Sequence, residues 1–165
     1  MEKDIAAPTG EKFVIGSDHA GYELKEKIKR YLAEKKNTVQ DLSGELRKPV
    51  DWGPVAERVC KAVVGEQRTY GILICGTGLA MSMAANKVRG ARAVVLYDTY
   101  AAECARRHND ANVLVFGGRT MDFEDACRHL ETFFSCDFAG GKYARRNEYL
   151  EAIEGRECRG ADLAG

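Results

Sequence analysis

The spacing of apolar residues along the chain predicts helices and strands in regular alternation. Leu24, Ile28 and Leu32 fall on one face of a helix over Tyr22–Lys35, whereas Gly71–Cys75 (GILIC) is apolar at consecutive positions, as expected for a strand covered on both faces. The same patterns predict the other elements, which are strands at Lys12–Ile15, Thr38–Leu42, Ala91–Tyr97 and Asn112–Phe116 and helices within Val55–Val64, Thr77–Val88, Thr99–Arg107, Glu124–Phe134 and Tyr143–Ile153.

Strands that alternate with helices at this spacing are typical of a parallel sheet with helices on both faces. We therefore predict an α/β fold, a three-layer domain whose parallel sheet has about five strands and which ends in a C-terminal helix. The length of 165 residues suits one domain with a substantial core and is too short for two ordinary ones. We expect residues 1–11 and 156–165 to be flexible extensions of a domain over residues 12–155.

Composition limits the partners that the chain can attract. The 25 Lys and Arg residues balance 25 Asp and Glu residues, so we expect no bulk electrostatic attraction to nucleic acid or to a membrane. No apolar run approaches the length that crosses a bilayer, and the N-terminal MEKDIAAPTGEK is too polar for a signal peptide. These features predict a cytoplasmic protein.

The six cysteines, at positions 60, 75, 104, 127, 136 and 158, form no C-x-x-C pair, and no histidine stands at zinc-ligand spacing from them. A metal site is therefore not expected. A disulfide framework is improbable in a domain of this size without a secretion signal, so we expect free thiols. Most of them should be buried and inert, because buried cysteine behaves as a small hydrophobic residue.

Candidate chemistry lies in the loops that follow the predicted strands, because open parallel sheets bind ligands outside the carboxyl ends of their strands. Together these loops would place a carboxylate, an imidazole, a thiol, a hydroxyl and a guanidinium at one edge of the sheet. The loops are Gly16–Gly21 (GSDHAG, with Asp18 and His19), Cys75-Gly76-Thr77-Gly78, Asp98, and Gly117-Gly118-Arg119.

The loop after the third strand has the clearest local chemistry. Gly76 and Gly78 allow the backbone after Cys75 to approach a ligand and to direct successive amides at it. A helix that begins near Leu79 would favour an anion there and the thiolate form of the cysteine. Alternatively, Cys75 is a buried strand residue and the glycines only form the turn, and the local sequence leaves both interpretations open. The loop matches neither a dinucleotide fingerprint, since Met81 stands where the third glycine belongs, nor a Walker loop.

Two basic clusters lie elsewhere in the sequence. Arg106–Asp110 (RRHND) ends a predicted helix, where its residues suit either helix capping or a site. Lys142 and Arg146 are four residues apart on a helix, so they could grip a phosphate or form a solvated basic face. We expect His129, which stands mid-helix among charged residues, to lie at the solvated surface.

Several segments, taken together, resemble a known family. GSDHAGYELK, ILICGTG followed by MAANK, GARAVV, RRHNDANVLVFGGR and GGKYARR have the order and spacing of the type B ribose-5-phosphate isomerases and their galactose-6-phosphate isomerase relatives, from about Phe13 to Ile153. The resemblance implies a Rossmann-like α/β/α domain that uses no metal or nucleotide cofactor and acts on a small sugar phosphate. It also implies homodimers or homotetramers whose active sites are each built from two subunits.

The resemblance implies a role for each matching residue. Cys75 would be the base that moves a proton between C2 and C1 of the open-chain sugar, and the amides of Gly76, Gly78 and Ala80 would stabilise the enediolate. The positions that match residues associated with opening the sugar ring are Thr77 and His108. Sugar hydroxyls would contact Asp18 and Asn109, and the phosphate would be held by His19, Arg119, Lys142 and Arg146. A neighbouring subunit would supply His108, Asn109, Lys142 and Arg146.

The chain departs from the family pattern at positions that affect substrate choice. Where the family commonly has Asp-Tyr-Pro, this chain has DWGP at 51–54, so Trp52 places a larger ring without a phenol at a sugar-contacting position. Ala80 replaces a usual glycine, and Lys142 stands where arginine is frequent. One branch of the family uses a glutamate base and lacks the cysteine; here that glutamate position is Met81, so the thiol branch applies.

The expected function is interconversion of ribose 5-phosphate and ribulose 5-phosphate, a reaction of the non-oxidative branch of the pentose phosphate pathway. Two alternatives remain. Trp52 could suit an isomerase of another sugar phosphate, such as galactose 6-phosphate or allose 6-phosphate. A non-catalytic sugar-phosphate binding module is the other, because a fold does not fix a function.

Overall fold

The computed structural model describes residues 7–43 and 50–161, and of residues 158–161 it describes the backbone alone. The described residues contain five strands in one parallel sheet of order β2-β1-β3-β5-β4. The strands are β1 (Lys12–Ser17), β2 (Thr38–Asp41), β3 (Thr69–Cys75), β4 (Ala93–Val95) and β5 (Val113–Gly117). The helices are α1 (Tyr22–Glu34), α2 (Trp52–Val64), α3 (Leu79–Ala85), α4 (Thr99–Arg107), α5 (Phe123–Phe134) and α6 (Lys142–Ala161).

The core is divided by the sheet into two apolar clusters, one on each face. Residues that alternate along β3 belong to opposite clusters, with Ile72 and Ile74 in one and Leu73 and Cys75 in the other. Apolar residues of α1, α4 and α5 complete the first cluster, and those of α2 and α3 complete the second. The prediction of a three-layer α/β fold with β3 covered on both faces is therefore confirmed.

Helical structure and a hydrogen bond extend into parts of both predicted extensions. Helix α6 continues to Ala161, beyond the predicted end at Ile153 and into the segment 156–165 that was expected to be flexible. At the other end, Pro8 is buried and its carbonyl accepts a hydrogen bond from Asn37 Nδ2 at 2.8 Å. The predicted extensions also include residues 1–6 and 162–165, which lie outside the described residues.

His129 is buried, with only 4% of its surface exposed, so the prediction of a solvated position is wrong. The neighbouring charges suggested exposure, but successive helical residues point in different directions, and His129 turns toward the interior with Leu130 and Phe133. Burial lowers the pKa of His129, which keeps the imidazole neutral. Its Nδ1 has no hydrogen-bond partner within the described part of the chain.

A buried polar network fixes the end of β1. Lys25 of α1 is 1% exposed, and its Nζ lies 2.5 Å from Asp41 Oδ2 and 2.8 Å from Glu26 Oε1. Asp41 Oδ1 accepts hydrogen bonds from the amide and the hydroxyl of Ser43, and Ser43 Oγ in turn accepts one from the amide of Ser17. Burial alone would raise the pKa of Asp41, but the hydrogen bonds from Lys25 and Ser43 outweigh it and lower the value to about 2.

We predict that Asp41→Ala lowers the free energy of unfolding by about 3 kcal/mol near pH 7, because it removes one partner of the buried Lys25 ammonium. The pKa of Asp41 is lower in the folded protein than its ordinary value of 3.8, so its contribution is complete above that value and disappears as the pH falls toward 2. Urea denaturation of the wild type and the variant across this pH range measures the difference.

Glu57→Gln is the matched control, since Glu57 forms a solvent-exposed ion pair with Lys61 at 2.6 Å and should leave stability unchanged. A difference between wild type and Asp41→Ala that did not shrink between pH 4 and pH 2 would contradict the assignment to the ionised carboxylate.

Candidate active site

Three loops meet at the carboxyl edge of the sheet because they are hydrogen-bonded through the central strand, β3. The amide of Asp18, after β1, donates to the carbonyl of Ile74 at 3.2 Å. The amide of Gly118, after β5, donates to the carbonyl of Cys75 at 2.8 Å, and that of Arg119 donates to Gly76 at 2.9 Å. The loops that the sequence placed at one edge are thus joined backbone to backbone.

Glycines allow these loops to approach so closely. A Cβ at Gly21 would lie 2.3 Å from the carbonyl oxygen of Ile74, and one at Gly118 would lie 2.7 Å from that of Ala20. Both contacts are with backbone atoms, which cannot move aside as a flexible side chain could. The glycines of GSDHAG and FGGR therefore serve loop packing at the site.

The thiol of Cys75 lies at the end of β3 and is 4% exposed. The amide of Gly78 donates to its Sγ at 3.2 Å, in a turn where Gly78 has a φ of 80°. A side chain is strained in that conformation, so glycine is required here. Among the described residues two further thiols are buried, those of Cys60 and Cys127, and burial raises the pKa of each to about 12. Cys75 is thus buried as the structural interpretation expected, and it also has the amide contact that the functional interpretation requires.

The backbone after Cys75 turns directly into helix α3. Gly78 is the residue before its first turn, so the amides of the first residues, including Ala80, have no acceptor within the helix. Thr77 is exposed, and its Oγ1 accepts a hydrogen bond from the amide of Leu79 at 3.4 Å. The side chain of Arg119 lies beside Gly76. A hydroxyl, a guanidinium and amides without an acceptor inside the helix therefore lie in or beside the turn that follows the thiol.

Asp18 and His19 stand beside this turn with different environments. Asp18 is buried, and its Oδ1 accepts hydrogen bonds from the amides of Ala20 at 2.9 Å and Gly21 at 3.0 Å. Because these bonds occupy Oδ1, a sugar hydroxyl could contact the carboxylate only through Oδ2. His19 is exposed at the loop tip.

Trp52 is the first residue of α2 and is 45% exposed. One turn further on, Val55 packs against β1 so closely that a Cβ at Gly16 would lie 2.6 Å from its Cγ1. Gly16 is near the carboxyl end of β1. The start of α2, which carries Trp52, therefore lies toward the same edge of the sheet as Asp18. The helix was expected to begin at Val55, and it begins earlier, at Trp52; the N-cap Asp51 is extended and makes no capping hydrogen bond through its side chain.

The remaining predicted site residues lie at the opposite edge. His108 and Asn109 follow α4 and directly precede β5, so they stand at the amino edge, whereas Cys75 follows β3 at the carboxyl edge. The five residues of β5 alone separate the two edges by about 17 Å. Lys142 and Arg146 belong to the amino-edge group, because α6 is joined to it by a hydrogen bond from Asn147 Nδ2 to Asn109 O at 3.0 Å.

A single chain therefore divides the predicted residues into two groups. The carboxyl-edge group is Asp18, His19, Trp52, Cys75, Gly76, Thr77, Gly78, Ala80 and Arg119, and the amino-edge group is His108, Asn109, Lys142 and Arg146. A cavity of about 970 Å³ lies at the amino edge, lined in part by Pro8, Glu11 and Arg107. The sequence analysis did not identify Tyr143, whose ring stacks on His108. No sequence pattern marks this contact, because the two residues are 35 positions apart in the chain.

The described residues lack two kinds of feature. They contain no group of three or more His, Cys, Asp and Glu side chains arranged to hold a metal ion. Their helices include none that is both long and apolar enough to span a membrane.

A doubly wound parallel sheet with a thiol, a guanidinium and the first amides of a helix at its carboxyl edge is typical of α/β proteins that bind a small anionic ligand there. Comparison with known proteins identifies the family. The family model described as Ribose/Galactose Isomerase matches residues 13–150. The chain is 40% identical over 145 residues to ribose-5-phosphate isomerase B of Escherichia coli, covering 88% of this chain and 97% of that protein.

Solved structures agree with this result. The structure of ribose-5-phosphate isomerase B from Clostridium thermocellum has a TM-score of 0.85 at 39% identity, over 88% of this chain and 99% of that one. The corresponding isomerase from Thermotoga maritima has a TM-score of 0.83 at 42% identity, over 86% and 98%. The chain belongs to the ribose/galactose isomerase family.

Proposed function

We propose that this chain interconverts ribose 5-phosphate and ribulose 5-phosphate, with Cys75 as the base. The observation that carries the proposal is the contact between the Gly78 amide and Cys75 Sγ at 3.2 Å, because it fixes the sulfur at the start of the turn whose amides can hold an oxyanion. The names of two relatives also support the proposal. They are 40% and 36% identical to this chain and are named as isomerases of ribose 5-phosphate.

The proton transfer follows from the surroundings of the thiol. The thiolate removes the proton from C2 of the open-chain aldose, and the electron pair passes into the carbonyl to give an enediolate. Amides of Gly76, Gly78 and Ala80 hydrogen-bond the developing oxyanion. The thiol then returns the proton to C1 while the O2 proton passes to O1, which gives the ketose with no net gain or loss of atoms.

Binding residues complete the proposed site. His19 and Arg119 hold the phosphate from the carboxyl edge, where Asp18 Oδ2 contacts a sugar hydroxyl and Thr77 assists ring opening. A phosphate held at one end positions the sugar for a stereospecific transfer at the other. This arrangement requires no cofactor.

A second copy of the chain supplies the amino-edge group, His108, Asn109, Lys142 and Arg146. The separation of about 17 Å between the two edges of one sheet supports this, because one small sugar phosphate cannot contact both edges of the same subunit. Exposed apolar side chains beside the carboxyl-edge site support it further, since Leu79 and Met83 of α3 are 61% and 69% exposed. We therefore propose a homodimer or homotetramer with shared active sites.

A second candidate substrate class, the hexose 6-phosphates, is favoured by one observation. Trp52 leaves 45% of its surface exposed at the start of α2, on the side of the sheet edge where the sugar would bind. An indole presents a larger ring and an N–H donor but no phenolic hydroxyl, so its contact with the sugar would differ from that of a tyrosine. Galactose 6-phosphate and allose 6-phosphate are the substrates to compare.

We predict that Cys75→Ser lowers kcat for ribose 5-phosphate by roughly 10²–10⁴-fold, the usual contribution of a positioned base, with the melting temperature unchanged. Cys136→Ser is the matched control, because this half-buried cysteine lies at the amino edge and its loss should leave kcat unaltered. Turnover of the Cys75 variant within a few-fold of wild type would refute the assignment of the base. Ligand binding by the wild type without any turnover would favour the binding module.

We predict that kcat/KM for ribose 5-phosphate exceeds that for allose 6-phosphate and galactose 6-phosphate by at least about tenfold, a difference of the size that one or two pocket contacts produce. Initial rates with each sugar measure it, and Trp52→Tyr should change the ratio more than it changes kcat for ribose 5-phosphate. A hexose phosphate turned over faster than the pentose would reassign the substrate.

We predict that two inactive variants, Cys75→Ser and His108→Ala, restore activity when their subunits are exchanged by co-expression. In a random mixture of dimers, half are hybrids and each hybrid has one intact site, so activity should return to about a quarter of wild type. Mixed samples that stay inactive, although mass spectrometry shows hybrid dimers, would place both residues in one subunit's site.

A further inference from the structure

At the amino edge there is a ring contact that none of the proposed residue roles explains. The ring of Tyr143 stacks on the imidazole of His108, with centroids 4.1 Å apart and an interplanar angle of 14°. Both rings are half-buried, although each stands near the end of its helix. Two nearly parallel rings at this distance are in face-to-face contact, so the orientation of one depends on the other.

The ring of Tyr143 is itself held by its own helix. Lys142 Nζ lies 5.1 Å and Arg146 Cζ lies 5.6 Å from the ring centroid, within the range of cation–π contact. Its amide donates to the carbonyl of Gly140 at 3.0 Å, at the turn that begins α6. The stack is thus built on the first two turns of α6, which carry both proposed phosphate cations.

The same helix is anchored to the loop that carries the histidine. Asn147 Nδ2 donates to the carbonyl of Asn109, the residue after His108, at 3.0 Å. On the other side of this loop, Asp110 has a φ of 45° and its carboxylate accepts from Arg92 at 3.1 Å and Arg106 at 2.8 Å. The backbone around the histidine is therefore fixed from two sides, while the ring of Tyr143 contacts the imidazole itself.

We propose that Tyr143 is a positioning residue that orients the imidazole of His108 for opening the sugar ring at the neighbouring subunit's site. The inference rests on the proposed function, in which His108 transfers the ring-opening proton. An imidazole at a helix end has free rotation unless a neighbour restricts it, and a misplacement of about 1 Å can cost on the order of a hundredfold in rate. The contact is made by the ring face, so any aromatic ring should serve and the phenolic hydroxyl should not be needed.

The role has a kinetic signature, because the two substrates differ in ring formation. Ribose 5-phosphate closes to a furanose through O4, so almost every molecule must be opened before C2 can lose its proton. Ribulose 5-phosphate has its carbonyl at C2 and its O5 carries the phosphate, so it cannot form a furanose. Misplacing His108 should therefore impair the aldose direction while the ketose direction remains.

The test compares Tyr143→Phe, Tyr143→Leu and Tyr143→Gln with the wild type over a range of enzyme concentrations. With ribose 5-phosphate, wild type and the Phe variant should give rates proportional to enzyme. The Leu and Gln variants should reach a common ceiling set by spontaneous ring opening, at least about tenfold below wild type at the highest concentration. Initial consumption of ribulose 5-phosphate should stay proportional to enzyme for all of them.

Tyr149→Leu is the matched control, since Tyr149 lies on the same helix, is 63% exposed, and should behave as wild type. Circular dichroism checks the fold, and the Gln variant retains a polar side chain at the helix start if the Leu variant fails to fold. The proposal would be overturned if the Leu and Gln variants converted ribose 5-phosphate at wild-type rates that stay proportional to enzyme concentration. Equal losses in both directions, with no rescue by Phe, would overturn it too, because they would indicate a general structural role. A wild type that converts neither sugar would instead refute the proposed function.

Discussion

The candidate site depends on the packing of three loop backbones around the end of the central strand, β3. Main-chain hydrogen bonds to Ile74, Cys75 and Gly76 hold the loops after β1 and β5, and the glycines at 21 and 118 permit the approach. The bond from the Gly78 amide to Cys75 Sγ forms inside this arrangement. Because all these contacts involve backbone atoms, the thiol and its amides have fixed relative positions before any ligand binds, which is the preorganisation that stabilisation of an oxyanion requires.

Parallel connection of the strands imposes a second constraint. Each helix returns the chain from the carboxyl edge to the amino edge, so residues that end a helix and precede a strand cannot join residues that follow a strand. His108 and Asn109 are in the first class and Cys75 and Thr77 in the second. The proposal of a site shared between two subunits gives the amino-edge group a purpose. The stack of Tyr143 on His108 shows that side chains at the amino edge pack against one another.

Buried and half-buried polar groups support both edges. Lys25, Asp41 and Ser43 connect α1 and the end of β2 to the amide of Ser17, immediately before the loop that carries Asp18 and His19. At the amino edge, Arg92 and Arg106 hold Asp110 beside His108. In each case ion pairs fix the backbone near a proposed site residue. Because their charges are at least partly withdrawn from water, their mutual pairing contributes to stability.

The sequence by itself determined the order and type of the helices and strands, the coverage of β3 on both faces and the loops at the carboxyl edge, because these follow from local periodicity and from the direction of parallel strands. Only the tertiary structure decided which surfaces are covered and which side chains meet. His129 was expected at the surface and is buried, since its exposure depends on how α5 packs. The hydrogen bonds at Asp18 Oδ1 and the stack of Tyr143 on His108 could not be predicted from the sequence either. Contacts between residues far apart in the chain leave no local pattern, because they depend on the final placement of whole helices.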